Sequence, residues 1–138
     1  MHKQFSNKEI LSYAQTLKQV FLDSSKDIEL PVRVNFYLQK NIKTFLNAAQ
    51  EIDEMRLKIG KKYGELNAQT RSYEIKDANK LELAQQDLDN LLLIDQVLDI
   101  YMISLKDIET LTLTVAQMNA ILFMINDDDD EIIFIDEE

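Results

Sequence analysis

From residue 38 to residue 66 the apolar side chains Leu38, Ile42, Phe45, Ala49, Ile52, Ile59, Tyr63 and Leu66 recur at alternating steps of three and four. That is the spacing that lines one face of an α-helix. Only Arg56 stands in the stripe where an apolar residue is expected. Pro31, suited to the first turn of a helix, stands ahead of the stripe, and Gly64, a natural left-handed terminator, stands near its end. Between them the sequence predicts a helix from Pro31 to Tyr63, about 50 Å long at 1.5 Å per residue. A helix of that length in a 138-residue chain needs a partner along its face.

Other helices supply it. Phe5, Ser6, Glu9 and Ile10 form a capping box with an apolar staple, followed by a stripe of Ile10, Ala14, Leu17 and Phe21 that ends near Ser24 and Ser25. Asp77 caps a third helix carrying Leu81, Ala84, Leu88 and Leu91, ending at Leu92 or Leu93. A second capping box, Thr114 with Gln117, opens a fourth helix with Met118, Ile121, Leu122 and Ile125 on one face and Leu113 placed as staple. Between the third and fourth helices the period changes to two. Ile94, Leu98, Ile100 and Met102 alternate with Asp95 and Asp99, which predicts a half-buried strand over 96–103. Residues 67–76 read as a loop with a short extended piece at 72–75. The expected fold is one α+β domain, mainly α, with about four helices (one long) and a small two- or three-stranded sheet. The sheet combines 96–103 with 72–75 or 132–135. Residues 1–126 form the domain and 127–138 an acidic C-terminal extension.

Composition narrows the chemistry. The chain has no cysteine and one histidine, His2, so thiolate sites and Ser–His–Asp arrangements lack a host, and His2 reads as an idle residue at the terminus. Its only glycines, Gly60 and Gly64, sit in a lysine-rich helix end, which is no phosphate-binding loop. Glu51 and Glu54 fall on the polar face of the long helix. Arg56, Lys58, Lys61 and Lys62 gather where a helix C-terminus favours cations. Arg56 either pairs with a carboxylate across the core edge or marks where that face meets solvent or a partner. The expectation is a protein without catalytic residues, metal site or cofactor. The start MHKQFSNKEI lacks the apolar run of a signal peptide, and no stretch is long and apolar enough to span a bilayer. A cytoplasmic protein in a bacterial host cell is the expected setting.

The formal charge of −10 is concentrated at one end. Asp127, Asp128, Asp129, Asp130, Glu131, Asp136, Glu137 and Glu138 hold eight of the 25 acids, so residues 1–126 carry 15 cations against 17 acids, a charge of −2. Attraction to nucleic-acid phosphates is disfavoured, and DNA mimicry or transcriptional regulation are weak alternatives. The ending DDDDEIIFIDEE encloses Ile132, Ile133, Phe134 and Ile135 between acids. Those four residues either pair within the protein's own sheet or offer an apolar segment to a partner, with the acids steering it. The candidate partner-binding residues are therefore Arg56, Asp127, Asp128, Asp129, Asp130, Ile132, Ile133, Phe134 and Ile135.

Three segments, LPVRVNFYLQKNIKTFL at 30–46, IGKKYGE at 59–65 and ISLKDIETLTLTVAQMNAILFMI at 103–125, resemble a group of short, functionally unassigned proteins of phages and prophages of low-GC Gram-positive bacteria. The resemblance implies a phage-encoded chain acting on a host or phage protein, such as an inhibitor of a bacterial defence system that works by occlusion. Its rival is a virion assembly or structural component that self-associates through the long helix. The resemblance carries no functional residue, and the extension after Asn126 departs from the pattern.

Overall fold

The long helix forms as the spacing requires. In the computed structural model, which describes residues 1–23 and 29–126, it runs Val32–Tyr63. The chain order is β1 (His2–Ser6), α1 (Asn7–Leu17), a π-helical turn (Lys18–Leu22), α2 (Val32–Tyr63), β2 (Glu65–Asn67), β3 (Ser72–Glu74) and α3 (Ala78–Leu93). It continues with β4 (Asp95–Asp99), β5 (Ile103–Ser104), the single turn α4 (Leu105–Ile108), α5 (Val115–Ile121), a 3-10 turn (Leu122–Met124) and β6 (Ile125–Asn126). The fold is mostly helical α+β, with four substantial helices, one short one and small two-stranded sheets among the described residues.

Capping chemistry sets three of the helix starts. Ser6 Oγ accepts from the Glu9 amide at 3.1 Å while Glu9 Oε1 accepts from the Ser6 amide at 2.9 Å. Thr114 and Gln117 repeat this at the start of α5. Asp77 accepts from the amides of Asn79 and Lys80. Each carboxylate, hydroxyl or amide oxygen satisfies an amide that the first helical turn leaves without an intrahelical partner. Pro31 stands one position ahead of α2 as its N-cap, its carbonyl accepting from the Asn35 amide.

The core forms where α1, the first two-thirds of α2 and the segment from Ile100 to Met124 meet. Ile10, Leu17, Val34, Leu38, Phe45, Ile100, Ile103 and Met124 are fully buried there. Phe5, Tyr13, Phe45 and Phe123 pack as an aromatic cluster, mostly edge to face, with centroids 4.5–5.8 Å apart, the geometry that ring quadrupoles favour.

The strand expected over 96–103 divides into β4 and β5, and its pairing differs from expectation. β4 lies antiparallel to β1, with His2 opposite Asp99 and Phe5 opposite Gln96. The residues ahead of α1, to which the sequence reading gave no element, form a strand, because Phe5 has to enter the aromatic cluster and an antiparallel ladder satisfies the backbone that carries it there. The piece expected at 72–75 does not pair with β4. Ser72–Glu74 pairs instead with Glu65–Asn67 as a hairpin, and residues 132–135 lie outside the described residues. β5 and β6 are parallel, joined by the crossover that a parallel pair needs, here α4 and α5.

Four stripe positions also depart, the first being Leu66, which lies exposed in β2. Leu81 of α3 and Leu122 after α5 are exposed, and Ile125 belongs to β6 because α5 closes at Ile121. Gly64 ends α2 in extended backbone, φ −117° and ψ 178°, so left-handed freedom is not what places it there. A Cβ at Gly64 would stand 2.8 Å from the Gly60 carbonyl oxygen and 2.9 Å from that of Glu74. Glycine is required by the close approach of backbone to backbone.

Candidate functional site

α2 changes character after Ile52. Val34, Leu38, Ile42, Phe45, Ala48, Ala49 and Ile52 are buried, whereas no residue from Asp53 to Tyr63 is. The distal third of the helix packs on one side against α3 and the β2–β3 hairpin. Tyr73 of β3 lies against the helix at Gly60, where a Cβ would fall 3.4 Å from that of Tyr73. Tyr63 donates its hydroxyl to Asp87 of α3 at 2.8 Å, and Lys62 stands 3.6 Å from the same carboxylate.

Two grooves flank this segment. One, of about 600 Å³ between α1 and α2, combines Leu11, Leu46 and Leu57 with Asp53, Glu54 and Arg56. The other, of about 360 Å³ between α2 and α3, has an apolar floor of Met55, Ile59, Leu91 and Ile94 edged by Lys58, Lys62, Asp87 and Asn90. Met55 is 45% and Ile94 53% exposed, so the floor is wet. Large apolar side chains grouped in a concave, lysine-edged surface are the kind of patch that binds another chain.

Arg56 is placed where the stripe runs out of core. Its guanidinium donates to Asp53 of the same helix at 2.9 Å, and it faces the first groove rather than a carboxylate across the core edge. Glu51 and Glu54 are exposed, with Glu54 accepting from Gln50 at 3.5 Å. His2 stands 3.9 Å from Asp99, both largely exposed. Lys62 titrates above its ordinary value because the adjacent Tyr63 oxygen and then the Asp87 carboxylate favour its charged form. Among the described residues no group of three or more His, Asp or Glu side chains is placed to hold a metal ion, and no helix is long and apolar enough to cross a membrane.

The remaining predicted site residues, Asp127, Asp128, Asp129, Asp130, Ile132, Ile133, Phe134 and Ile135, lie outside the described residues. Sequence reasoning missed the second groove. Ile59 and Leu91 stood in stripes and Ile94 on the even face of a strand, while Met55 belonged to neither pattern. The available signal was Met55, an apolar residue off the stripe where a solvated face would be polar.

Comparison with protein families, with curated proteins and with solved structures finds no match.

Proposed function

We propose that the chain is a non-catalytic protein-binding protein that works by occlusion, its contact surface made by the exposed apolar residues of distal α2 and by residues 127–138. The carrying observation is the distal third of α2, where the helix outruns the core and leaves Met55 and Leu57 half exposed beside grooves on both sides. Helical stability comes mainly from packing of the apolar face. Exposing large apolar side chains along the same helix has no structural return unless something covers them in use. The narrower reading, a phage-encoded inhibitor of a bacterial defence system, is supported by the resemblance of segments 30–46, 59–65 and 103–125.

Affinity capture tests it. The tagged full chain, incubated with lysate of the organism that encodes it or of that organism's host, is expected to retain a defined protein in stoichiometric amount. Met55→Asp with Leu57→Asp, or Ile133→Asp with Phe134→Asp, should reduce retention at least about tenfold, the effect of about 1.4 kcal/mol of lost contact, with the helical circular dichroism unchanged. Equal retention by all three proteins sinks the assignment of the surface. Light scattering on the purified chain separates the rival role, since a large symmetric ring points to assembly through the long helix and a monomer or dimer to a binder.

A further inference from the structure

The α2–α3 groove has a floor and a rim of different chemistry, and that pairing specifies what fits it. Met55, Ile59, Leu91 and Ile94 supply an apolar floor. The rim is cationic: Lys58 and Lys62 line it. The one carboxylate in the lining, Asp87, is already engaged by the Tyr63 hydroxyl and by Lys62. No ion pair joins Lys58 to a described carboxylate. The complement of such a groove is a short apolar segment with acids at both ends, because the floor rewards apolar burial and the lysines reward flanking negative charge.

This sequence contains one such segment. Ile132, Ile133, Phe134 and Ile135 lie between Asp127–Glu131 and Asp136–Glu138. Reach is sufficient. The Phe123 ring lies 5.4 Å from that of Phe45, and Met55 is about 15 Å further along α2 at 1.5 Å per residue. From Asn126, residues 132–135 come at about 20–30 Å of extended chain. We propose that the α2–α3 groove is a docking site for this chain's own residues 132–135, with the flanking acids set against Lys58 and Lys62. The proposal stands apart from the protein-binding reading. If both hold, an outside partner competes with the chain's own end for the groove.

The absence of cysteine from the sequence makes the test direct. In the full chain, Phe134→Cys is combined with Met55→Cys or, as a second pair, with Ile94→Cys, both at exposed positions. The control pairs Phe134→Cys with Val115→Cys, 77% exposed on α5 and nearer in the chain. Under mild oxidation the groove pairs are expected to close as monomeric disulfides at least about ten times faster than the control, the signature of raised effective concentration. Adding Lys58→Glu and Lys62→Glu, or about 0.5 M salt, should slow that closure several-fold. Closure of the groove pairs no faster than the control overturns the proposal. A disulfide found only between two chains also overturns it, by assigning the groove to the end of a second copy.

Discussion

At the scale of single residues, two buried asparagines do work that patterns of hydrophobicity do not reveal. Asn41 is fully buried on α2, donating its amide to the Tyr101 carbonyl at 2.8 Å and to the Met124 sulfur, while its oxygen accepts from the Tyr101 amide at 2.8 Å. It thus stands in for a strand partner of the segment between β4 and β5. Asn7 binds the Leu91 carbonyl and accepts from Gln96, and its own amide donates to the Ile94 carbonyl, joining the start of α1 to the end of α3. Asn41→Leu leaves both Tyr101 backbone groups without a partner and should lower stability by about 2–4 kcal/mol. Urea denaturation measures it, and a loss under about 1 kcal/mol refutes the bridging role. The two glycines predict opposite signs. Gly60→Ala meets only ordinary contact with Tyr73 and should stabilise by up to about 1 kcal/mol through helix propensity. Gly64→Ala drives a methyl into two carbonyl oxygens and should destabilise by about 1–3 kcal/mol. Thermal melts of the two variants that move in the same direction would contradict the assignment.

At the scale of elements, what was legible in the sequence is what local chemistry decides. Both capping boxes, the Asp77 cap and the extent of α2 follow from side chains within four residues of one another. β1 was not legible, because its pairing with β4 joins residues 89 to 97 positions apart and its five residues, HKQFS, include one large apolar side chain. Its period of two is visible afterwards, with Lys3 and Phe5 turned inward. Leu81 misled for a related reason: a stripe shows which face of α3 is apolar, not how far the neighbouring element extends to cover it. The candidate site was half legible. Arg56 interrupts the stripe a few residues after Ile52, the last buried position of α2, whereas the α2–α3 groove depends on how two helices separated by residues 64–77 are set against each other. The β2–β3 hairpin carries its own prediction. Arg71 adopts φ 57° in the turn, a left-handed conformation that penalises a side chain with a Cβ. Asn67 holds that turn by accepting from the amides of Gln69 and Thr70. Arg71→Gly should therefore raise stability by about 0.5–1 kcal/mol. A lower melting temperature would mean that the arginine side chain contributes more than its backbone loses.

At the scale of the whole molecule, burial is distributed unevenly along one continuous helix. Proximal α2 shares the core with α1, β1, β4 and the segment through Met124, so its hydrogen bonds break only when that core comes apart. Distal α2, the hairpin and α3 share much less: in this half Ala84 and Leu91 are the buried apolar residues, and the hairpin buries none. Local opening free energy follows the apolar surface an element buries with its neighbours. Hydrogen-bonded amides of the β2–β3 ladder should therefore exchange through openings at least about 2 kcal/mol below the global unfolding free energy, with little dependence on denaturant. Amides from Leu38 to Ile52 should exchange only through global unfolding. Native-state hydrogen exchange in increasing denaturant distinguishes these regimes. If hairpin and proximal-helix amides converge on one isotherm at all denaturant concentrations, the chain is a single cooperative unit. The arm formed by distal α2, the hairpin and α3 could then not adjust to a ligand without unfolding the body that carries it.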